Sequence, residues 1–579
     1  MFDVLRSKSK FFLVLILILA SFLRLWGLTK VPVSMFADEL DVGYQAYSIL
    51  KTGRDYMGNP WPLNFQSYSD LRTPLYIYAA VPTVSIFGIS PLGVRLPAAI
   101  FGILGVWGIY LLSNQLVKVK FSIWHLKFGI LPALVLAVSL WHLQYSRAAF
   151  EATMLLAFLI FCLYFFFRAI REPKYLWLSL TLLAFTPWIY STAKLFTPML
   201  LILLFVLWRN DLLSIKKKYL SRAAVAGLIV GLPIILGTLF GGGGMRFNYI
   251  SIFSDPTTKP EVDYARLLDA QIRGQTANVI PKVVSRIVHN KATFWTEKII
   301  SNTFNAISFN FLFVNGDPNL RHSIRGVGQF YWIESIALIL GLIYFFGFFK
   351  DNKIKALIGF WVLAGIIPSA ITRDGGNHAT RLILILPPLI FLISYGLEKS
   401  LGRANLHLSK LLIFIYFGIW ILEFGFYQHN YWVDNPWQTE RQWHAGFYEA
   451  ITYIKQVEDN YQKIIISDKY DPPKIFFASY YPYHPDKWQR GYEKGSLPGF
   501  DYLERVDKFY FGHAGPINIY DLAQFMDNES LYIAAASEIP DNLIRKPLMV
   551  PSGLRLIKSV AFPSGEPAFY FFENASRIN

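Results

Sequence analysis

Phe11-Phe12-Leu13-Val14-Leu15-Ile16-Leu17-Ile18-Leu19-Ala20-Ser21-Phe22-Leu23 is an uncharged apolar run that continues to Leu28 with Arg24 as its one interruption. About 20 such residues let a helix cross a bilayer, so the run reads as a membrane span. Arg6, Lys8 and Lys10 precede it and no small-x-small cleavage site follows. It therefore reads as an uncleaved first helix with its N-terminus in the cytoplasm.

Similar runs recur along the first three quarters of the chain, near residues 96–112, 128–143, 148–167, 176–190, 195–208, 223–240, 330–349, 356–371, 382–397 and 411–427. With 54% hydrophobic residues among 579, the chain reads as a polytopic α-helical membrane protein with about 11 (11–13) transmembrane helices. The runs are continuous rather than alternating, which excludes a transmembrane β-barrel. The net charge of +16 follows from Lys and Arg gathering in cytoplasmic loops, so no nucleic-acid partner is implied. Cys162, the single cysteine, lies inside an apolar run, which excludes a disulfide framework and a cysteine metal site.

The segment 75–94 decides the sidedness of everything after it. It is uncharged, but Pro82 and the Ser90-Pro91-Leu92-Gly93 turn break it. If it does not cross fully, the segments on the N-terminal side of the membrane carry about 20 Lys and Arg against about 4 in the short opposite turns. Full crossing inverts that bias, so 75–94 is expected not to cross. The chain then divides into a membrane part, 1–428, with a first external loop at 29–95 and a long one at 241–329. Residues 429–579 mix Asp, Glu and Pro with short apolar runs such as Lys463-Ile464-Ile465-Ile466-Ser467, which predicts a small extracytoplasmic α/β domain. A helix is expected over 445–456. The expected location is the plasma (inner) membrane.

Several polar groups fall on the external face under this topology. Asp38-Glu39 follows the first span, where carboxylates are excluded from hydrocarbon. The pair suits a helix cap, a cation site or a general base. Tyr145-Ser146-Arg147 with Glu151 opens a later span; Glu151 suits a helix first turn or a cavity, and Arg147 suits an i,i+4 partner to it. Lys194, Arg373 and Arg381 read either as anchors at the headgroup level or as phosphate partners, and Arg72 precedes the Pro-broken segment. Asn315-Gly316-Asp317-Pro318-Asn319-Leu320-Arg321-His322-Ser323 is turn-rich by composition, and its density of Asp, Asn, Arg and His equally suits a sugar site; Asn377 and His378 lie between Arg373 and Arg381 and share their two readings. Tyr44, Trp61 and Tyr68 suit either sugar stacking or an interfacial aromatic belt. The histidines His142, His289, His322 and His378 are far apart in the chain and are expected to be structural rather than metal ligands. There is no P-loop, dinucleotide fingerprint or nucleophile-elbow serine.

These residues, in order and spacing, resemble GT-C glycosyltransferases of the protein O-mannosyltransferase and aminoarabinose-lipid A transferase group. The likeness rests on Ala37-Asp38-Glu39, Leu71-Arg72-Thr73-Pro74-Leu75-Tyr76, Val94-Arg95-Leu96-Pro97-Ala98-Ala99, Tyr145-Ser146-Arg147 with Glu151, the Lys194 loop and the 310–323 run. It implies a GT-C fold and an inverting transferase that takes a sugar from a polyprenyl-phosphate donor. It implies Asp38 as catalytic base with Glu39 as its neighbour and Glu151 as a second acidic position, where many relatives have Asp. Arg72 stands where Lys is frequent. Lys194, Arg72, Arg147, Arg373 and Arg381 are the expected donor-phosphate groups; Tyr44, Asp317, Asn319, Arg321, His322 and His378 are the expected substrate contacts. The acceptor is a glycan, lipid or protein hydroxyl. The C-terminal domain shows no match to the sugar-binding repeat domain of the eukaryotic protein mannosyltransferases. Two acidic positions can hold a divalent ion, but the resembled group generally does without one, so no metal or cofactor is expected. The rival readings are a lipid-linked glycan transporter or flippase, which predicts inverted repeats and mid-span charges, and a membrane scaffold.

Overall fold

The computed structural model describes residues 2–578 apart from 69–70, 118–125, 242–243, 272–281, 404–405 and 516–517. The N-terminal part is helical: α1 (Phe2–Leu25), α2 (Ala37–Thr52), α3 (Leu75–Phe87), α4 (Pro91–Leu116), α5 (Ile130–Val138), α6 (Leu140–Ser146), α7 (Glu151–Ala169), α8 (Leu176–Ile189), α9 (Ala193–Leu213) and α10 (Lys217–Leu239). The long loop carries α11 (Met245–Ile250), α12 (Thr258–Gln271), α13 (Lys282–Val288) and α14 (Lys291–Ala306). The bundle closes with α15 (Trp332–Phe348), α16 (Asn352–Ala370), α17 (Ala379–Leu382), α18 (Leu386–Arg403) and α19 (Leu406–His429).

Among the described residues, seven helical segments are long and apolar enough to span a membrane. They coincide with seven of the eleven expected spans. The other four are helical but fall short for separate reasons. Helix α1 carries Lys8, Lys10 and Arg24; α8 has 14 residues and α15 has 17. The fourth, expected over 128–143, is broken at Ser139 into α5 and α6. That break and Arg24 explain each other. A helix end leaves its last carbonyls without intrahelical donors. Arg24 donates to Ala137 O at 2.9 Å and Leu136 O at 3.2 Å, and lies 2.7 Å from His142 Nδ1. The lone charge of the first span thus closes the open end of α5.

The Pro-broken segment forms α3, whose 13 residues reach only about 20 Å at 1.5 Å per residue, short of the ~30 Å hydrocarbon core. It stops at Gly88, which has φ 67°. Helix α4 restarts with Ser90 as N-cap, its hydroxyl accepting from the Gly93 N–H, and Pro91 in the first turn.

Contacts sort the loops into two ends. At one end the Lys127 N–H donates to Ser9 Oγ at 3.1 Å, and Lys353 Nζ lies 3.0 Å from Asp211 Oδ2. At the other, Thr73 Oγ1 donates to Ile189 O at 2.7 Å, Gln144 Nε2 to Arg321 O at 2.8 Å, and Arg373 pairs with Asp255 at 3.4 Å.

The C-terminal part is built on a seven-stranded sheet in the order β4-β5-β6-β3-β7-β9-β8, after a small β1–β2 hairpin (Phe65–Gln66, Leu71–Arg72) in the first loop. The strands are β3 (Lys463–Ile466), β4 (Glu493–Lys494), β5 (Phe500–Val506), β6 (Phe509–Ala514), β7 (Ser530–Ala535), β8 (Leu554–Ala561) and β9 (Pro567–Asn574). Central β3 runs parallel to β6 and β7, and Ile464, Ile465 and Ile466 are all buried, as a strand covered on both faces requires. Helices α20 (Asn435–Gln438), α21 (Phe447–Val457), α22 (Lys474–Tyr480) and α23 (Pro485–Trp488) complete this part. The sheet region sits directly on α2. Tyr480 Oη donates to Met35 O, Gln489 Nε2 donates to Asp55 O at 2.9 Å, and Phe36 meets Trp443 edge-on at 5.3 Å.

Candidate active site

Helix α2 places Asp38 and Glu39 in its first turn, where the helix dipole favours negative charge. Neighbours on a helix point about 100° apart, so the two carboxylates diverge. Glu39 turns inward and is fully buried. Arg95 grips it with two hydrogen bonds, Nε to Oε1 at 2.8 Å and Nη2 to Oε2 at 2.7 Å, and the Ala149 N–H adds a third at 2.8 Å. Arg95 is itself buried and also donates to Leu28 O, Pro32 O and Ser34 O. A buried pair with all its hydrogen bonds made ties α2, α4 and the start of α7 together. Glu39 is therefore a buried structural partner of Arg95, closed off from solvent.

Asp38 turns outward, with 57% of its side chain exposed. Arg72 pairs with it through Nη2 and with Asp41 through Nε at 2.8 Å. Asp41 is buried and accepts from Tyr56 Oη at 2.7 Å and Ser67 Oγ at 3.1 Å. Burial pushes the Asp41 carboxyl above its ordinary range, against the opposing pull of Arg72 and the hydrogen bond from Tyr56. Sequence reasoning missed Asp41 and gave Arg95 no role. Asp41 lies one helical turn after Asp38, and that i,i+3 spacing was the available signal.

A second polar cluster meets this one across an aromatic wall. The turn before it needs glycine: Gly316 has φ +66°, and a Cβ there would lie 2.6 Å from Val327 O. Asp317 Oδ1 accepts the Asn319 N–H at 2.8 Å, an Asx turn. Its Oδ2 accepts the Ala379 N–H at 2.7 Å and lies 2.9 Å from His322 Nδ1. Burial would raise the Asp317 carboxyl, but the His322 hydrogen bond, the charges of His322 and His378, and the Ala379 amide outweigh it and hold it below its ordinary range. The His378 ring centre lies 5.0 Å from that of His322. Phe150 packs against His322 at 5.6 Å and against Phe36 at 5.7 Å, and the Arg321 guanidinium lies 5.0 Å over the Phe36 ring. Asn319 Oδ1 accepts from the Arg321 backbone at 3.1 Å, holding that loop in shape.

Glu151 opens α7 next to Phe150 and is half-buried, close enough to Tyr76 and Tyr145 to act on both electrostatically. Lys194 lies in the first turn of α9, also half-buried, in the loop that Thr73 secures to the Arg72 strand.

Other expected site residues are engaged in contacts of their own. Arg147 is buried, donating to Leu23 O at 2.7 Å, Trp26 O at 2.8 Å, Val31 O at 3.1 Å and Tyr431 Oη at 2.9 Å. It fastens the turn after α1, with most of its hydrogen-bonding capacity spent on backbone carbonyls and Tyr431. Tyr44 is buried against the sheet region, with its Oη donating to Tyr483 O at 2.9 Å, so it stacks on no sugar. Arg373 faces the long loop, donating to Tyr249 O at 2.8 Å beside Asp255. Arg381 pairs with Asp374 at 2.6 Å and bonds Thr372 Oγ1 at 2.8 Å.

Fold and site together define a polytopic helical membrane protein with an acidic centre on one face. Residues 72–236 match the family described as dolichyl-phosphate-mannose-protein mannosyltransferase. The match takes in Arg72, Arg95, Glu151 and Lys194 and begins after Asp38. It is the same group that the sequence motifs resemble, within the GT-C glycosyltransferases. No curated protein matches the chain. Solved structures with some likeness include the Archaeoglobus fulgidus oligosaccharyltransferase in its apo form, at 13% identity and TM-score 0.45 over 81% of this chain and 63% of that one. The chain thus spans less than two thirds of that protein. ArnT from Cupriavidus metallidurans bound to undecaprenyl phosphate has 10% identity and TM-score 0.47, over 96% and 97% of the two chains. The mycobacterial arabinofuranosyltransferase AftD has 12% identity and TM-score 0.45, over 98% of this chain and 41% of that one.

Proposed function

We propose that the protein is an inverting glycosyltransferase that moves a sugar from a polyprenyl-phosphate donor to an acceptor hydroxyl at the external face of the plasma membrane. The observation that carries this reading is Asp38, an exposed carboxylate held at a helix N-terminus by Arg72 and by the buried Glu39–Arg95 pair beneath it. The family match over 72–236 supports a sugar donor linked to a lipid phosphate.

In the reaction, Asp38 takes the proton of the acceptor hydroxyl as that oxygen bonds to the anomeric carbon. The bond from the anomeric carbon to the phosphate oxygen breaks on the opposite side, inverting the centre. The lipid phosphate leaves with both electrons of that bond and needs charge balance rather than a proton. Lys194, half-buried at the start of α9, is the cation assigned to that role here. Arg72, lying beside both Asp38 and Asp41, holds the Asp38 carboxylate in position. None of these steps calls for a cofactor. Partners are the lipid-linked donor, the membrane and an acceptor glycan, lipid or protein.

The test is incubation of the full-length protein in detergent or vesicles with a polyprenyl-phosphate hexose labelled in the sugar. Label appearing on an added acceptor extract with release of polyprenyl phosphate is the expected result. Label that crosses the vesicle membrane still attached to its lipid, with no transfer, would replace this reading by a transporter.

A further inference from the structure

We propose that Asp317, His322 and His378 form a binding site for a zinc-type divalent cation. The three offer one carboxylate oxygen and two imidazole nitrogens whose ligand atoms all lie within 4.8 Å of one another. Two nitrogens and an oxygen suit zinc better than the all-oxygen shells of calcium or magnesium. Three protein ligands around a tetrahedral ion leave a fourth position for a water or an anionic oxygen.

The geometry is close to what such an ion requires. Bonds of about 2.0–2.2 Å around a tetrahedral centre set neighbouring ligand atoms about 3.3 Å apart. Asp317 Oδ2 and His322 Nδ1 stand at 2.9 Å, so the ion takes the place of the proton they share and opens the gap by about 0.4 Å. His378 immediately precedes α17 and is half-buried, and its ligand nitrogen, within 4.8 Å of the other two ligand atoms, has to close to about 3.3 Å when the ion binds. The carboxylate is already fixed by the Ala379 and Asn319 amides, which orient it as outer-shell partners orient metal ligands.

This cluster differs from the other Asp–His pairs of the chain. His289–Asp269, His444–Asp471 and His513–Asp468 are pairs of similar length. Among the described residues, only the Asp317 group gathers three ligands. It is also more buried than the exposed pairs, with Asp317 and His322 both inside the protein.

The test uses tag-free full-length protein in detergent, treated with EDTA, desalted and titrated with ZnCl2 while bound zinc is measured by elemental analysis. One equivalent is expected, with release of protons as the ion displaces the shared hydrogen. His322→Ala and His378→Ala should each weaken binding at least tenfold, and His289→Ala should leave it unchanged. Co2+ should give the visible absorption of a tetrahedral ion in wild type and lose it in His378→Ala. Wild-type protein that takes up no stoichiometric zinc overturns the proposal, whatever the folding of the variants. An equivalent that survives both His322→Ala and His378→Ala also overturns it. Neither readout depends on glycosyl transfer.

Discussion

Asp38 and Glu39 are adjacent carboxylates with opposite fates. Glu39 is sealed in the protein with each oxygen bonded, while Asp38 stands half in solvent with Arg72 at its flank. A single helical step of about 100° separates a buried structural ion pair from an exposed carboxylate. The lesson is that a charged motif at a membrane boundary is two things at once: one member fixes the backbone, and the other is presented by it. The same division holds for the cations, with Arg95 and Arg147 buried among carbonyls and Arg72 at the surface of the site.

Substitution should separate the two fates. The largest expected effect is Glu39→Ala, which leaves Arg95 buried without its counter-charge and should cost about 3–5 kcal/mol of stability. Thermal unfolding in detergent measures it; unchanged stability would break the distinction between the two carboxylates. Arg147→Ala comes next, at about 1.5–3 kcal/mol for the loss of charged hydrogen bonds to buried carbonyls. Donor KM in the folded fraction should be unchanged, because the guanidinium is spent on backbone oxygens. A raised KM with normal stability would return Arg147 to the phosphate site. Tyr44→Phe removes one buried hydrogen bond to Tyr483 O and should cost about 0.5–1.5 kcal/mol, with turnover intact.

A smaller effect contrasts the two clusters by pH. The Asp317 carboxyl is depressed, so its stabilisation is present above the ordinary carboxylate range and is lost as pH falls through the folded value. The Asp41 carboxyl is raised, so its contribution is present below the ordinary range and is lost as pH rises through the folded value. In unfolding curves across acid pH, Asp317→Asn should flatten the acid-side loss and Asp41→Asn should flatten the loss on the rising side. Curves that move together for the two variants would contradict the opposite signs.

Much of this was legible before the structure. The apolar runs gave helices at all eleven expected places, and Lys463-Ile464-Ile465-Ile466 became the central strand of the sheet. The helix expected over 445–456 forms as Phe447–Val457. The break at Ser139 was hidden because both halves are apolar; the clue was Arg24, a charge in an apolar run with no partner in sequence. Arg147 was misread for a related reason. A cation at a span edge looks like a ligand group until the turn it fastens, 23–31, is folded against it. His322 and His378 were expected as substrate contacts and not as metal ligands, because the chain between them is long. Only the packing of the Gly316–Ser323 turn against the start of α17 brings their rings to 5.0 Å.

The central claim is that Asp38 is the base and Glu39 is its support. The measurement is single-turnover transfer from a labelled polyprenyl-phosphate sugar by wild type and Asp38→Asn, with unfolding midpoints taken on the same preparations. A rate lowered about 10²–10⁴-fold at an unchanged midpoint is the predicted result. Wild-type rates in Asp38→Asn would contradict the account and pass the proton to another group, Glu151 first.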